Sequence, residues 1–102
     1  MSLAKHPKTL LVIVAEAALE KPLVRDARER GAQGWTVTEV HCAGLDGLRE
    51  GAWEADRTIE LKLICDAGVA DAIAEHVLAT YARHYAVAMT FGQVSVLRPE
   101  RF

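Results

Sequence analysis

The sequence predicts an α+β fold, a βαββαβ chain whose antiparallel sheet carries both helices on one face. Three observations predict it. Residues 8–15 read KTLLVIVA, almost wholly apolar and rich in β-branched side chains, as a central strand buried on both faces does. Residues 58–65 alternate: Ile59, Leu61, Leu63 and Cys65 face one way, and Thr58, Glu60 and Lys62 the other. A stretch of helical spacing follows each of these strands, and a further strand follows each helix. Two such halves, joined by right-handed crossovers, give the ferredoxin-like arrangement with a long loop between strands 2 and 3.

Each element has its own signal. Residues 1–7 form a lead-in ending at Pro7, and the first strand is Lys8 to Ala15. The first helix runs to about Arg30, with Leu19, Leu23, Val24 and Ala27 at helical spacing. Arg25, Asp26, Arg28 and Glu29 are expected on its wet face. Pro22 belongs in the first turn, because deeper in a helix it removes a hydrogen bond and clashes. Gly31 supplies the left-handed residue that closes many helices. The second strand, Gly34 to His41, carries the β-formers Trp35, Thr36, Val37, Thr38 and Val40. After the third strand, Asp66 is placed to cap a helix over about Val69 to Arg83, whose apolar stripe is Ala70, Ile73, Ala74, Val77 and Tyr81. The last strand is Val87 to Leu97, where Gly92 suggests a bulge or a close backbone approach. With both helices on one face, the other face is left bare. Trp35 and its apolar neighbours are expected there, which predicts self-association.

Composition narrows the function. At 102 residues the chain is expected to form one domain over 1–102. A formal net charge of −2 and a pI near 6.1 lack the basic excess of a nucleic-acid-binding surface. No apolar run approaches the roughly 20 residues of a membrane span, and the first residues lack the apolar core of a signal peptide. A cytoplasmic protein is expected, recruited to membranes only through a partner. Cys42 and Cys65 do not make a disulfide framework and read as free thiols, Cys65 in a strand core.

The stretch Cys42 to Arg57 fits neither helix nor strand, and holds Gly44, Gly47 and Gly51 among Asp46, Arg49, Glu50, Glu54, Asp56 and Arg57. Connections usually take about 2–6 residues, so a longer one points to function. His41 and Cys42 are adjacent and point to opposite faces, so they do not readily share one metal ion. His76 reads as a helix-surface residue and His84 as a helix-end residue. No nucleophile–base–orienter set is visible, which points away from an enzyme.

GWTVTEV (Gly34 to Val40), followed by a glycine and a long loop, closely resembles the PII signalling proteins, where this strand leads into the T-loop. Strand order, helix lengths, loop position and the basic C-terminal VLRPER extend the resemblance over nearly the whole chain. Between the second helix and the last strand stands YARHYAVAMTFG, without the glycine–lysine phosphate loop of other members. The T-loop, about 42–57, reads CAGLDGLREGAWEADR. It lacks the tyrosine used for uridylylation and is more similar to the PII-like branch linked to bicarbonate transport and carboxysomes.

The resemblance implies a homotrimer with nucleotide sites in the clefts between subunits. Its ligand would be an adenine nucleotide, ADP or AMP, with ATP and cyclic AMP as alternatives and bicarbonate as a companion. It implies that Ile13, Thr36, Val37, Lys62 and Ile64 line the adenine side. Ala43, Gly44 and Leu45 would offer backbone N–H groups to phosphate, and Arg98 and Arg101 would come from the end of the last strand. Lys62 stands where the family commonly has glutamate. A phosphate suits a glycine turn and a forked arginine donor. At about 1.5–3 kcal/mol per charge-assisted bond against about 1–2 per ordered residue, three or four contacts order only part of the loop. The base is then set by ligand, and the tip around Trp53 is left for a partner, implied to be a membrane bicarbonate transporter. The alternative is a CutA-like trimeric metal-binding protein, resting on His41 and Cys42.

Overall fold

The computed structural model describes residues 3–41 and 57–102. Among these, four strands and two helices follow in the order expected. They are β1 (His6–Glu16), α1 (Glu20–Glu29), β2 (Thr36–Val40), β3 (Thr58–Cys65), α2 (Ala67–Thr80) and β4 (Val87–Val96). The strands lie in the order β2-β3-β1-β4, every neighbouring pair antiparallel. This is the α+β, ferredoxin-like sheet predicted from the pattern.

Register fixes which side chain faces which layer. Along β1, Thr9, Leu11, Ile13 and Ala15 are buried beneath the helices, while Leu10, Val12 and Val14 turn to the other, open face and are half-buried. Leu61, Leu63 and Cys65 join the helix side from β3, and Ala70, Ile73, Ala74, Val77 and Tyr81 from α2. The predicted α2 stripe is thus the buried one. Each fully buried aliphatic side chain contributes about 1.5–3 kcal/mol, and this single layer is the core.

Local chemistry sets the ends. A 3-10 turn, Ala17–Leu19, leads into α1 with Pro22 in its first turn. Gly31 closes the helix at φ 112°, a conformation that side chains with a Cβ rarely adopt. Asp66 does hold the N-cap position of α2, but its carboxylate makes no bond to the helix amides. It accepts instead from Lys8 Nζ at 2.7 Å, tying the start of β1 to the start of α2. Gly92 makes no bulge, for β4 pairs with β1 without interruption, Leu10 opposite Gly92.

Two expectations of facing are corrected. Trp35 lies not on the open face but on the side of α1, where the Arg28 guanidinium sits 5.5 Å from its ring centroid. Asp26 lies not on the wet face of α1 but 5% exposed, against α2.

Candidate functional site

On the open face, the register lines up Thr36, Lys62, Val12 and Thr90 across the four strands in one row. One pleat toward the 42–57 segment stand Thr38, Glu60, Val14 and Ala88; one pleat away stand Ile64, Leu10 and Gly92. The result is a half-apolar surface that carries an ion pair, Lys62 Nζ to Glu60 Oε1 at 3.3 Å. Three residues expected to line the adenine side, Thr36, Lys62 and Ile64, therefore share this face.

Ile13 is a correction. It is 0% exposed and points into the core beneath the helices, so it offers no surface to a ligand. Pleating puts Val12 and Val14 beside Lys62 in its stead. Val37 also points to the helix side, opposite Thr36, and packs on the core. It lines a cavity of about 260 Å³ with Ala17, Glu20, Glu39, Arg57 and Ile59. This cavity sits at the roots of the 42–57 segment, where Ala17 N–H donates to Arg57 O at 2.8 Å and Arg57 Nε meets Glu39 Oε1 at 3.6 Å. Ala43, Gly44 and Leu45, together with Cys42 and Trp53, lie outside the described residues.

Arg98 and Arg101 are exposed, the first just before and the second within the 3-10 turn Pro99–Arg101, and Arg98 Nε is 3.8 Å from Glu100 Oε1. Their position is decided by register. Val40 and Thr58 stand beside Glu16, whereas Val96 stands beside His6. The length of β1 separates them, roughly 33 Å at about 3.3 Å per residue. Within one chain the arginines and the loop roots occupy opposite ends of the sheet.

A polar cluster that the sequence reading missed joins α1 to α2. The Asp26 carboxylate accepts from the Tyr81 hydroxyl, from His76 Nε2 at 2.8 Å and from Arg25 Nε at 3.0 Å. Arg30 donates to His76 Nδ1 at 2.8 Å and to the Asp26 carbonyl at 3.0 Å. Burial alone would raise the Asp26 pKa, but the Tyr81, His76 and Arg25 hydrogen bonds outweigh it and hold the carboxyl down at about 2. Burial, then the Asp26 bond, pushes the Tyr81 phenol up. His76 is thereby an interhelical residue, contrary to the expectation of a helix-surface one. The signal in the sequence was faint: Asp26 stands three residues after Leu23 and His76 three after Ile73, at helical spacing from each apolar stripe, but nothing local pairs the two. Among the described residues no three metal-ligating side chains gather, and no helix is long and apolar enough to cross a membrane.

Residues 8–101 match the family described as nitrogen regulatory protein P-II. No curated protein sequence matches the chain. Among solved structures, a protein of Thermus thermophilus described as PII-like and signalling is 35% identical, with 98% of this chain and 99% of that one covered and a TM-score of 0.84. The CPII protein of Thiomonas intermedia K12, bound to ADP and bicarbonate, is 19% identical over 99% of both chains, with a TM-score of 0.86. The same protein bound to ADP, AMP and bicarbonate is 19% identical over 99% of this chain and 98% of that one, with a TM-score of 0.85.

Proposed function

This chain belongs to the nitrogen regulatory protein P-II family, and we propose that it is a regulator that binds ADP or AMP, with bicarbonate, between copies of itself. Proteins of this family are non-enzymatic signalling proteins, trimers that bind nucleotides. The observation that carries the reading is the opposition of the two sheet ends. Arg98 and Arg101 cannot reach the loop roots of their own chain, so a cleft that uses both takes them from two copies. The open face, with Leu10, Val12, Val14 and Ile64 half-buried in the single chain, is a surface for such copies to share.

In that cleft, Thr36 and Lys62, with Ile64 one pleat away, receive the adenine of one copy's site. The backbone of 43–45 and a neighbour's Arg98 and Arg101 receive the phosphates, the arginines as forked donors. ADP, AMP and bicarbonate as ligands rest on CPII, which binds them on a similar fold. ATP and cyclic AMP are competitors for the same cleft. The ligand sets the base of the 42–57 loop, and its tip contacts a membrane transporter, so that nucleotide and bicarbonate levels govern inorganic-carbon uptake.

Calorimetry with ADP, AMP, ATP and cyclic AMP, each with and without bicarbonate, tests this reading. Heat is expected from ADP or AMP, and a double R98A/R101A variant is expected to weaken binding about 10- to 100-fold. Silence from all four nucleotides would end the proposal.

A further inference from the structure

The His76 imidazole has a different partner at each ring nitrogen, and the two make opposite demands. Nε2 lies 2.8 Å from Asp26 Oδ2, a carboxylate that can only accept, so Nε2 carries the hydrogen. Nδ1 lies 2.8 Å from Arg30 Nη2, which can only donate, so Nδ1 keeps its lone pair. The arrangement therefore specifies the neutral, Nε2–H imidazole. A second acceptor waits beside Nδ1, the Thr80 Oγ1 at 3.3 Å.

Among the described residues, the charged and titratable groups around the ring are few. From α1 come Asp26, with Arg25 behind it, and Arg30, with Glu29 Oε2 at 3.9 Å from its Nη1. From the end of α2 comes Tyr81, whose ring stands edge-on at 6.0 Å between centroids. A proton arriving at Nδ1 from solvent would set two donors, each on a cation, against one another at hydrogen-bond distance. The Asp26 bond survives this change, since Nε2 still donates. The Arg30 bond does not.

We propose that His76 is a proton-operated clasp between α1 and α2: unprotonated it holds the Arg30 side chain, and protonated it turns Nδ1 to Thr80 and releases Arg30 toward Glu29. Release matters because of where Arg30 stands. It is the residue on which α1 ends, and its Nη1 braces the last turn by donating to the Asp26 carbonyl. The next residues, Gly31 and Ala32, bond back to Arg28 and Ala27 and lead into β2. The proton thus loosens the turn that delivers the second strand. This inference is independent of the ligand proposed above.

Nitrogen-detected NMR on the full chain tests it. Near neutral pH the His76 ring is expected as the Nε2–H tautomer in contact with Arg30. On acidification to the point where the ring nitrogens themselves report protonation, the contact is expected to be lost, and amide exchange at Gly31 and Ala32, referenced to the interior of α2, to rise about tenfold. In H76Q the amide offers Oε1 to Arg30 and Nε2–H to Asp26 at every pH, so exchange is expected to stay flat. Should H76Q not fold, R30M serves, because without a guanidinium there is nothing to release and the step is again expected to vanish. An Nδ1–H tautomer at neutral pH, an Arg30 contact that outlasts protonation of His76, or a wild-type step in either variant overturns the clasp.

Discussion

Asp26 and Tyr81 are joined by a hydrogen bond across 55 residues of sequence, phenol to carboxylate, in the seam between the two helices. At 5% exposure the carboxylate satisfies its charge through Tyr81, His76 and Arg25. Replacing one carboxylate oxygen by an amide NH2 group removes the charge and sets a donor against the groups that this oxygen served. D26N is therefore expected to destabilise the chain by about 2–4 kcal/mol, and Y81F by about 1–3, each read from urea unfolding. A loss under about half a kcal/mol in D26N would show the seam to be held by its apolar residues alone.

Acid should expose the same group. The folded Asp26 carboxyl is held at about 2, below the ordinary value of 3.8, so the unfolded chain takes up the proton first. Its contribution is complete above the ordinary value and drains away as pH falls toward about 2. The difference corresponds to about 2 kcal/mol. Chemical unfolding of wild type and D26N between about pH 5 and 2 is expected to show the steeper decline in wild type; parallel curves would contradict the assignment.

Gly31 offers a backbone test. At φ 112° an added Cβ is strained whatever the space, and it would also meet Val69 Cγ2 at 3.4 Å. G31A is expected to lower stability by about 1–3 kcal/mol, measured as a shift in the unfolding midpoint. An unchanged midpoint would mean that the turn re-forms without its left-handed residue.

The fold was legible wherever a pattern was local. Strand β3 was readable to the residue, because alternation from Thr58 to Cys65 has period two and one side of it is wholly apolar. The α2 stripe was readable for the same reason at a helical period. Asp26 was not, because periodicity assigns a carboxylate to water unless its partners are known, and those partners lie 50 and 55 residues away. Trp35 was misplaced because a strand's parity says which residues share a face, not which face the helices cover; Arg28 decided it. Ile13, expected at the site through the resemblance, is off by a single pleat: β1 is apolar on both faces, so nothing in its composition marked Val12 and Val14 rather than Ile13 as the residues facing out. Asp66 held the capping position but spent its carboxylate on Lys8, a contact between residues 58 apart that no local rule reaches.

The open face carries the proposed assembly. Val12 sits between Lys62 and Thr90, half-buried in a single chain. V12E is expected to leave the fold intact by circular dichroism and to shift the mass in light scattering from trimer to monomer. A trimeric V12E would place the contact elsewhere.

The clefts can be examined by mixing. A chain with R98A/R101A lacks one half of the proposed site, and a chain with T36Y, which crowds the open-face slot, lacks the other. Neither alone is expected to bind nucleotide as wild type does. Co-refolded, they are expected to recover part of the wild-type heat, since an intact arginine end from one meets an intact slot from the other. No recovery would mean that both halves are drawn from one copy.

The separation of Arg98 from the roots of the loop has a consequence for how such a regulator behaves as its abundance changes. With the proposed ligand groups at opposite ends of one strand, a lone chain would have no complete site. Binding and assembly are then one equilibrium: nucleotide favours association, and dilution of the protein lowers its affinity for nucleotide. On the proposed site, the strand would make the readout depend on two concentrations, the metabolite's and the protein's own.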